Sequence, residues 1–440
     1  MAHVLIVGAG ISGLTAAYEL TRRGVSVRVR DAAPRGGGLI CTEHINGFTI
    51  EAGPDSVLNA KPAALELMRQ LGLEGQIMSV RPGARAFVLK ERKLYPLPQP
   101  SFLGIPLTPD ALARYELLSP DARARMALEP TIPARASDED ESVGAFFRRR
   151  FGADAVDLIA QPLLGGIHAG DIEQLSMRSL FPRLLEAERE RGSVMPTSDL
   201  GPRTSDVAKG FSALRGGMTT LVRALEAQLP PGSLAYNSPV TTLDDADASA
   251  VIVATQAHVA ARLFEPIDVE AARLCAMVPY VSTASVALAW PREVVPHPLD
   301  GTGFVVARRH SDVRITACTW VSSKWESRAP EGSALLRAFI GGAHDPDVVD
   351  LSDDALVAIA RQDLASVMQI TAPPSLSRVY RWRNAGAQHL VGHLDRVNEI
   401  ERRLEPLRIF VAGSGFRATG IPDCIVDARR VAAAVHRCME

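Results

Sequence analysis

A strand–turn–helix–strand unit near the start of the chain constrains its fold more than any other segment. The apolar run Val4-Leu5-Ile6-Val7 leads into Gly8-Ala9-Gly10-Ile11-Ser12-Gly13. A helical stretch then runs to a Gly24 stop, and Val25-Ser26-Val27-Arg28-Val29-Arg30 returns as a second strand ending at Asp31. Continuous apolar text is what a parallel strand covered on both faces requires. Gly8 makes the tight turn, Gly10 lets the backbone approach a pyrophosphate, and Gly13 lets helix and strand pack closely. Free N–H groups at the helix start then face the diphosphate. Asp31 comes at the distance where an acid hydrogen-bonds a ribose hydroxyl. The glycines alone are weak evidence, but the ordered unit with its terminal acid is specific for dinucleotide binding.

The residues after Asp31 narrow the dinucleotide. Arg35-Gly36-Gly37-Gly38-Leu39 gives the backbone side-chain-free positions beside a second part of a long cofactor. This run resembles the second signature of FAD-binding flavoproteins of the amine oxidase and protoporphyrinogen oxidase superfamily. Nicotinamide dehydrogenases do not usually carry it, so FAD is the expected cofactor. Arg35 lies near the phosphates or ribose, or is a solvated loop charge.

A length of 440 residues suggests two or three domains. The net charge of −2 provides no electrostatic reason for nucleic acid binding. Five scattered cysteines without a CxxC argue for reduced thiols and against a disulfide framework or zinc site. No metal is expected. Neither a secretory signal nor an 18-residue apolar run is found. The expected location is cytoplasmic, with peripheral contact at the cytoplasmic membrane face and a homodimer both left open.

Similar strand text recurs far along the chain. Leu407–Val411 feeds Gly413-Ser414-Gly415, and Gly420-Ile421-Pro422-Asp423 opens an Ala/Val-rich helix. Residues 236–255 read as two further strands with acidic turn residues between them. Strand patterns also occupy 281–290, 303–307, 313–321 and 335–340. The expected fold is α/β (an α+β flavoprotein). Its Rossmann-like FAD domain is assembled from segments 1–56, 206–270 and 386–440. A mixed-sheet substrate domain takes 57–90 and 271–385, and a small helical, membrane-facing domain takes 91–205. Residues 143–160 show helical spacing, with Arg148–Arg150 read as a solvated face. The stretch 186–210 is expected to be the most mobile. Phe102, Leu103, Ile105, Leu107 and Leu112, among prolines, form either a membrane-facing patch or the closure of a pocket and a small core.

Two further segments narrow the superfamily. Gln161-Pro162-Leu163-Leu164-Gly165-Gly166-Ile167-His168-Ala169-Gly170-Asp171, with Leu175-Ser176 and Phe181-Pro182 after it, closely resembles the protoporphyrinogen oxidase family. So do Gly53-Pro54-Asp55-Ser56, Phe211–Met218, Gly301–Phe304 and Gly392-His393, in order along nearly the whole chain. The resemblance implies oxidation of protoporphyrinogen IX to protoporphyrin IX by loss of six electrons in haem biosynthesis. FAD takes the electrons, and O2 reoxidises it to give H2O2. It places Gly8, Gly10, Ile11, Ser12, Gly13, Asp31, Arg35, Gly37, Gly38, Gly53, Pro54, Asp55, Ser56, Val240, Trp382, Gly413, Thr419, Gly420 and Ile421 at the cofactor.

No acid–base set stands out as necessary, because the redox step belongs to the flavin and the protein supplies placement. Gly166 and Ala169 are expected on one wall of the substrate pocket, with Phe304 and Phe339 on the other. Taken alone, the small residues 165–170 either admit a flat macrocycle or form a tight packing device. His168 is either structural or a proton carrier. Cys41 and Ala86 stand where family members carry arginines, which weakens the usual carboxylate clamp and favours a less anionic substrate. Arg85 is the expected replacement for holding a propionate. Ala418-Thr419 replaces Gly-Val, and His389 replaces a common Tyr. Two alternatives stay open: coproporphyrinogen III oxidation to coproporphyrin III, and a catalytically lapsed flavin or porphyrin carrier. The segment 165–171 argues against an amine oxidase or carotenoid desaturase.

Overall fold

The opening strand His3–Val7 is buried along its whole length at the centre of a five-stranded sheet. Its two faces enter different cores. Val4 and Ile6 pack with helices Ile11–Arg22 and Ile421–Met439, whereas Leu5 and Val7 pack with Ala257–Phe264, Val269–Ala276 and His393–Leu404. That period-two division is why an unbroken apolar run was needed. The computed structural model describes residues 3–81, 83–195, 210–243 and 248–440. Parallel neighbours of His3–Val7 are Val27–Arg30 on one side and Ala248–Val253 on the other. Leu234–Ala235 and Ile409–Val411 form the edges, so one sheet collects strands from three distant stretches of sequence.

A second sheet has seven strands, in the order Leu376–Ala387, Tyr280–Pro291, Ser333–Gly341, Ala317–Trp320, Gly301–Val306, Arg85–Lys90, Lys93–Pro96. It is antiparallel except where Gly301–Val306 runs parallel to Arg85–Lys90. Val286, Leu288 and Ile340 pack under helix Asp353–Met368 through Leu356, Ala360 and Leu364. A cluster of short helices between 109 and 191 has its own core of Met126, Phe146, Phe147, Phe151 and Ile159. Thr108, Ser119, Ser142 and Ser176 each cap a helix by accepting from the N–H three residues on.

Several expectations change. Residues 143–160 are not one helix: Gly152, at φ 95°, ends Val143–Phe151, and after the single turn Ala153–Ala155 the chain continues as a π-helix, Val156–Gly165, containing Pro162. Residues 236–243 form no strand. Pro239 has no N–H to give a ladder, and Ser238 and Pro239 are bound by the Arg30 guanidinium instead. Val57, Ala64, Leu67, Met68 and Met78 join the cofactor-side core, not the substrate sheet, and Lys93–Pro96 extends that sheet past residue 90. Arg149 and Arg150 turn inward instead of forming a solvated face. Arg150 is fully buried against Glu129, with Nε 2.7 Å from Oε1, and Arg149 bonds Glu141 and Glu188. Most of the stretch expected to be mobile, 196–209, lies outside the described residues. The part before it is the helix Pro182–Arg191. Among the described residues no helix is long and apolar enough to cross a membrane.

Candidate active site

The motif glycines meet at the carboxyl end of the parallel sheet, where α/β folds of this kind bind ligands. Gly8 has φ 106°, and a Cβ there would lie 2.7 Å from the Ala254 carbonyl oxygen. A Cβ on Gly13 would lie 1.9 Å from the Gly8 oxygen, so this residue seats the helix on the turn. Gly10 is different: among the described residues nothing lies within 4 Å of the position its Cβ would take. It is also the N-cap of Ile11–Arg22 and offers no side-chain cap to the first N–H groups of the helix. An open space at an uncapped helix N-terminus fits a pyrophosphate.

The rest of the cradle is built around this point. Gly37 donates its N–H to Ala9 (2.8 Å), which lays the second glycine run against the first. Asp31 accepts from the N–H groups of Ala9 (2.6 Å) and Ala33 (2.7 Å), leaving carboxylate acceptor sites for a ribose hydroxyl. Arg35 is neither a free loop charge nor aimed at phosphate. Its guanidinium donates to the carbonyls of Gly36, Gly38 and Ile40 at 2.9–3.0 Å and braces the glycine loop. From the far end of the sequence, Gly413 (φ 108°) donates to Asp427 and comes up to Ser12. Gly420 is the N-cap of Ile421–Met439, again without a side-chain cap. Beside it, Thr419 and Lys61 both donate to Asp423 (3.2 and 2.7 Å). Val240 packs partly buried against the core under the sheet. Two uncapped helix starts and two glycine turns thus suit a long, doubly anionic cofactor such as FAD.

A cavity of about 990 Å³ opens beside this cradle. The cofactor side contributes Gly53, Pro54, Asp55 and Trp382, the seven-stranded sheet Thr283, Ser285 and Phe339, and the helical cluster Leu163, Gly166 and Ala169. A Cβ on Gly53 would strike the Leu39 oxygen at 1.8 Å, and Trp382 is fixed by donating Nε1–H to the Ala52 carbonyl (2.8 Å). Ser56 donates to Asp55 (2.7 Å), whose other oxygen meets Lys324 (2.9 Å). Burial alone would raise the Asp55 pKa, but the Lys324 and Arg337 cations outweigh it and hold the carboxyl well below the usual range. Arg337 stacks over Phe339 and donates to the Glu51 carbonyl.

Gly166, Ala169 and Phe339 line the cavity as expected, but two residues do not. Phe304 is buried in the core on the far side of its strand, edge-on to Trp320, and Val305 faces the cavity. Arg85 points away, pairs with Asp300 (3.0 Å) and lies over Phe87, while Ala86 faces the cavity. Both corrections are one-residue errors of face on a strand. Phe102, Leu103, Ile105 and Leu107 line the cavity and Leu112 is buried, which matches the closure of a pocket and a small core. Sequence reading missed Thr283, Ser285, Arg337, Arg183 and Arg191. For the last two a signal existed: Arg183, Leu184, Ala187 and Arg191 share one helix face.

Histidines surround the C-terminal turn. His168 is pushed down to about 3 by burial, with His389 and Lys61 adding repulsion, so it is neutral at ordinary pH. His389 stacks on His393 with ring centroids 3.8 Å apart. His389 donates Nε2–H to the Ser414 carbonyl and accepts at Nδ1 from Ser179, while His393 donates to the Phe416 carbonyl. Burial depresses both, His389 to about 4 and His393 to about 3.

A Rossmann-like cradle with a large apolar cavity at its mouth defines a flavin-dependent oxidoreductase. The chain belongs to the flavin containing amine oxidoreductase family, whose model matches residues 11–436, and its cofactor is FAD. It is 36% identical over 452 residues to the coproporphyrinogen III oxidase of Bacillus subtilis, covering 96% of this chain and 95% of the relative. The coproporphyrinogen III oxidase of Staphylococcus aureus is 33% identical, with 97% of each chain covered. A solved structure from Exiguobacterium sp. 255-15, provisionally named a protoporphyrinogen oxidase, superposes with a TM-score of 0.86. That match has 27% identity and covers 99% of both chains.

Proposed function

We propose that this flavoenzyme oxidises a porphyrinogen to the corresponding porphyrin, with O2 as terminal acceptor and H2O2 as product. The observation that carries this reading is the cavity, large and apolar, with small residues at Gly53, Gly166 and Ala169. A tetrapyrrole needs such walls, because its faces are apolar and it must come within reach of the redox centre. Bound FAD supplies the two-electron oxidation, repeated three times to reach six electrons. The chain's own residues hold the substrate ring and exclude water. Trp382 is locked to the Ala52 carbonyl beside Gly53, and Phe339 is held under the Arg337 guanidinium. Neutral His168 and ion-paired Asp55 offer no free acid–base pair, in keeping with a reaction driven by placement. On this reading FAD contacts run from Gly8–Gly13 and Asp31 through Gly37, Gly38 and Gly53–Ser56 to Val240, Trp382, Gly413 and Thr419–Ile421. Arg35 acts there as a brace.

Protoporphyrinogen IX and coproporphyrinogen III both fit this chemistry, and relatives named for the second align over nearly the whole chain. The test is an aerobic assay of FAD-loaded protein with each substrate, following porphyrin fluorescence and peroxide. Turnover of either is the expected result. Flavin-loaded protein that binds porphyrin but oxidises neither substrate would replace the enzyme reading with a carrier.

A further inference from the structure

Among the described residues, four charged side chains reach the cavity: Asp55, Arg337, Arg183 and Arg191. The first two are already committed. Asp55 is neutralised by Lys324, and Arg337 is buried, stacked on Phe339 and bonded to the Glu51 carbonyl. Arg183 and Arg191 differ: both are exposed, and neither makes an ion pair or hydrogen bond among the described residues. They lie on one helix, Pro182–Arg191, whose third arginine, Arg189, is paired with Asp138 (3.2 Å). So the helix arginine that is paired is the one that does not line the cavity, and the two that line it are without an acid.

Helix geometry makes this arrangement specific. At about 100° per residue, Arg183, Leu184, Ala187 and Arg191 fall within a sector of about 100°, and all four line the cavity. Leu184 and Ala187 provide an apolar floor, and the guanidinium-bearing residues stand at either end of it, about 12 Å apart along the axis. The helix is not free to roll. Glu188, on its other side, is held by Arg149 at 3.0 Å and by buried Arg150 at 3.3 Å. Its C-terminal end is tied down by Glu129, which accepts from the N–H groups of Val194 (2.9 Å) and Met195 (3.2 Å). Two unpaired arginines carried on a fixed helix, beside an apolar floor and exposed at an apolar cavity, are what a flat ring edged with carboxylates requires.

We propose that Arg183 and Arg191 bind propionates on different pyrrole rings of the substrate and set a preference for the four-carboxylate coproporphyrinogen III over the two-carboxylate protoporphyrinogen IX. They take the place in which Arg85 fails. This rests on the porphyrinogen reading and assigns the residues that discriminate within it. Both are binding residues, so they act on KM and not on the redox step.

The test uses FAD-loaded full-length protein, with steady-state kinetics in air for both porphyrinogens. Arg183→Ala, Arg191→Ala and the double variant are compared with Arg189→Ala, which lies off the cavity face. Losing a charge-assisted contact is expected to raise KM for coproporphyrinogen III roughly ten- to hundredfold in the double variant. Over the same change kcat should stay within about threefold, FAD content should be unchanged, and KM for protoporphyrinogen IX should rise less. Arg189→Ala should match the parent. If the double variant keeps its KM for coproporphyrinogen III within twofold of the parent, or loses kcat alone, the binding role is overturned. If KM rises equally for the two substrates, the preference is overturned. A flavin-loaded parent that oxidises neither substrate would instead refute the functional reading, whatever the variants do.

Discussion

Gly10 and Gly13 are both written as glycine in the motif, yet their surroundings ask for glycine for opposite reasons. At Gly13 the missing side chain makes room for protein, since a Cβ would sit 1.9 Å from a backbone oxygen. At Gly10 it makes room for ligand, since none of the described residues comes near. Gly10→Val should therefore fold with an apo-protein melting temperature within a degree or two of the parent, yet bring no flavin through desalting. Gly13→Ala should lower the melting temperature of the apo-protein itself. Absorbance of bound flavin and thermal unfolding of stripped protein separate the two. At Asp55 the deciding interaction is ionic. Lys324→Met leaves a buried carboxylate short of its partner and should cost roughly 3 kcal/mol of unfolding free energy in denaturant titration. Asp55→Asn in the same background should recover part of that loss.

At the scale of elements, legibility depended on whether the two faces of a strand meet different environments. The βαβ unit could be read because every signal in it is local: apolar run, glycine turn, helix, acid. The seven-stranded sheet could not, because its one face lies on helix Asp353–Met368 and its other on an apolar cavity. Both faces then select apolar or small side chains, and the choice between Phe304 and Val305 leaves no mark in hydropathy; Arg85 sits at the start of its strand, where its charge reaches solvent and Asp300. Within the Arg148–Arg150 run, Arg148 is exposed as expected, but Arg149 and Arg150 were misread for a related reason. Their counter-charges Glu129, Glu141 and Glu188 lie on other elements, beyond any local pattern. Arg150→Met should strand Glu129 in the core and destabilise the helical cluster by about 3–5 kcal/mol. Because the same network fixes Pro182–Arg191, the variant should also raise substrate KM at temperatures where it stays folded.

For the whole molecule, the stacked pair His389 and His393 links stability to pH. Both are depressed in the folded state, to about 4 and about 3, from an ordinary value of 6.5. Unfolded chains therefore bind protons that the native state refuses between pH 6.5 and about 4. Stability from this source is complete above pH 6.5 and lost as pH falls through that window. The rings hold the carbonyls of Ser414 and Phe416, beside the turn at Gly413, so acid should loosen the cofactor as well as the fold. Melting temperature and flavin retention should fall together as pH drops from 7 to 4.5, and His389→Gln should flatten the dependence. A flat profile in the parent would show that the pair does not control acid sensitivity.

The central strand His3–Val7 finds its neighbour Val27–Arg30 at once, but Ala248–Val253 and Ile409–Val411 come from far along the chain. During synthesis, the glycine turn at Gly8 is therefore made long before the Gly413 turn that faces it. A growing chain carries half a cofactor cradle, one open strand edge and the uncovered apolar side of helix Ile11–Arg22 until Ile421–Met439 arrives to pack on it. Flavin capture is in this sense a late event, and exposed edges in the meantime invite association with other chains. A fragment ending at residue 408 should accordingly retain no flavin and accumulate as aggregate. Supplying FAD in excess should rescue slow-folding full-length chains but not that fragment.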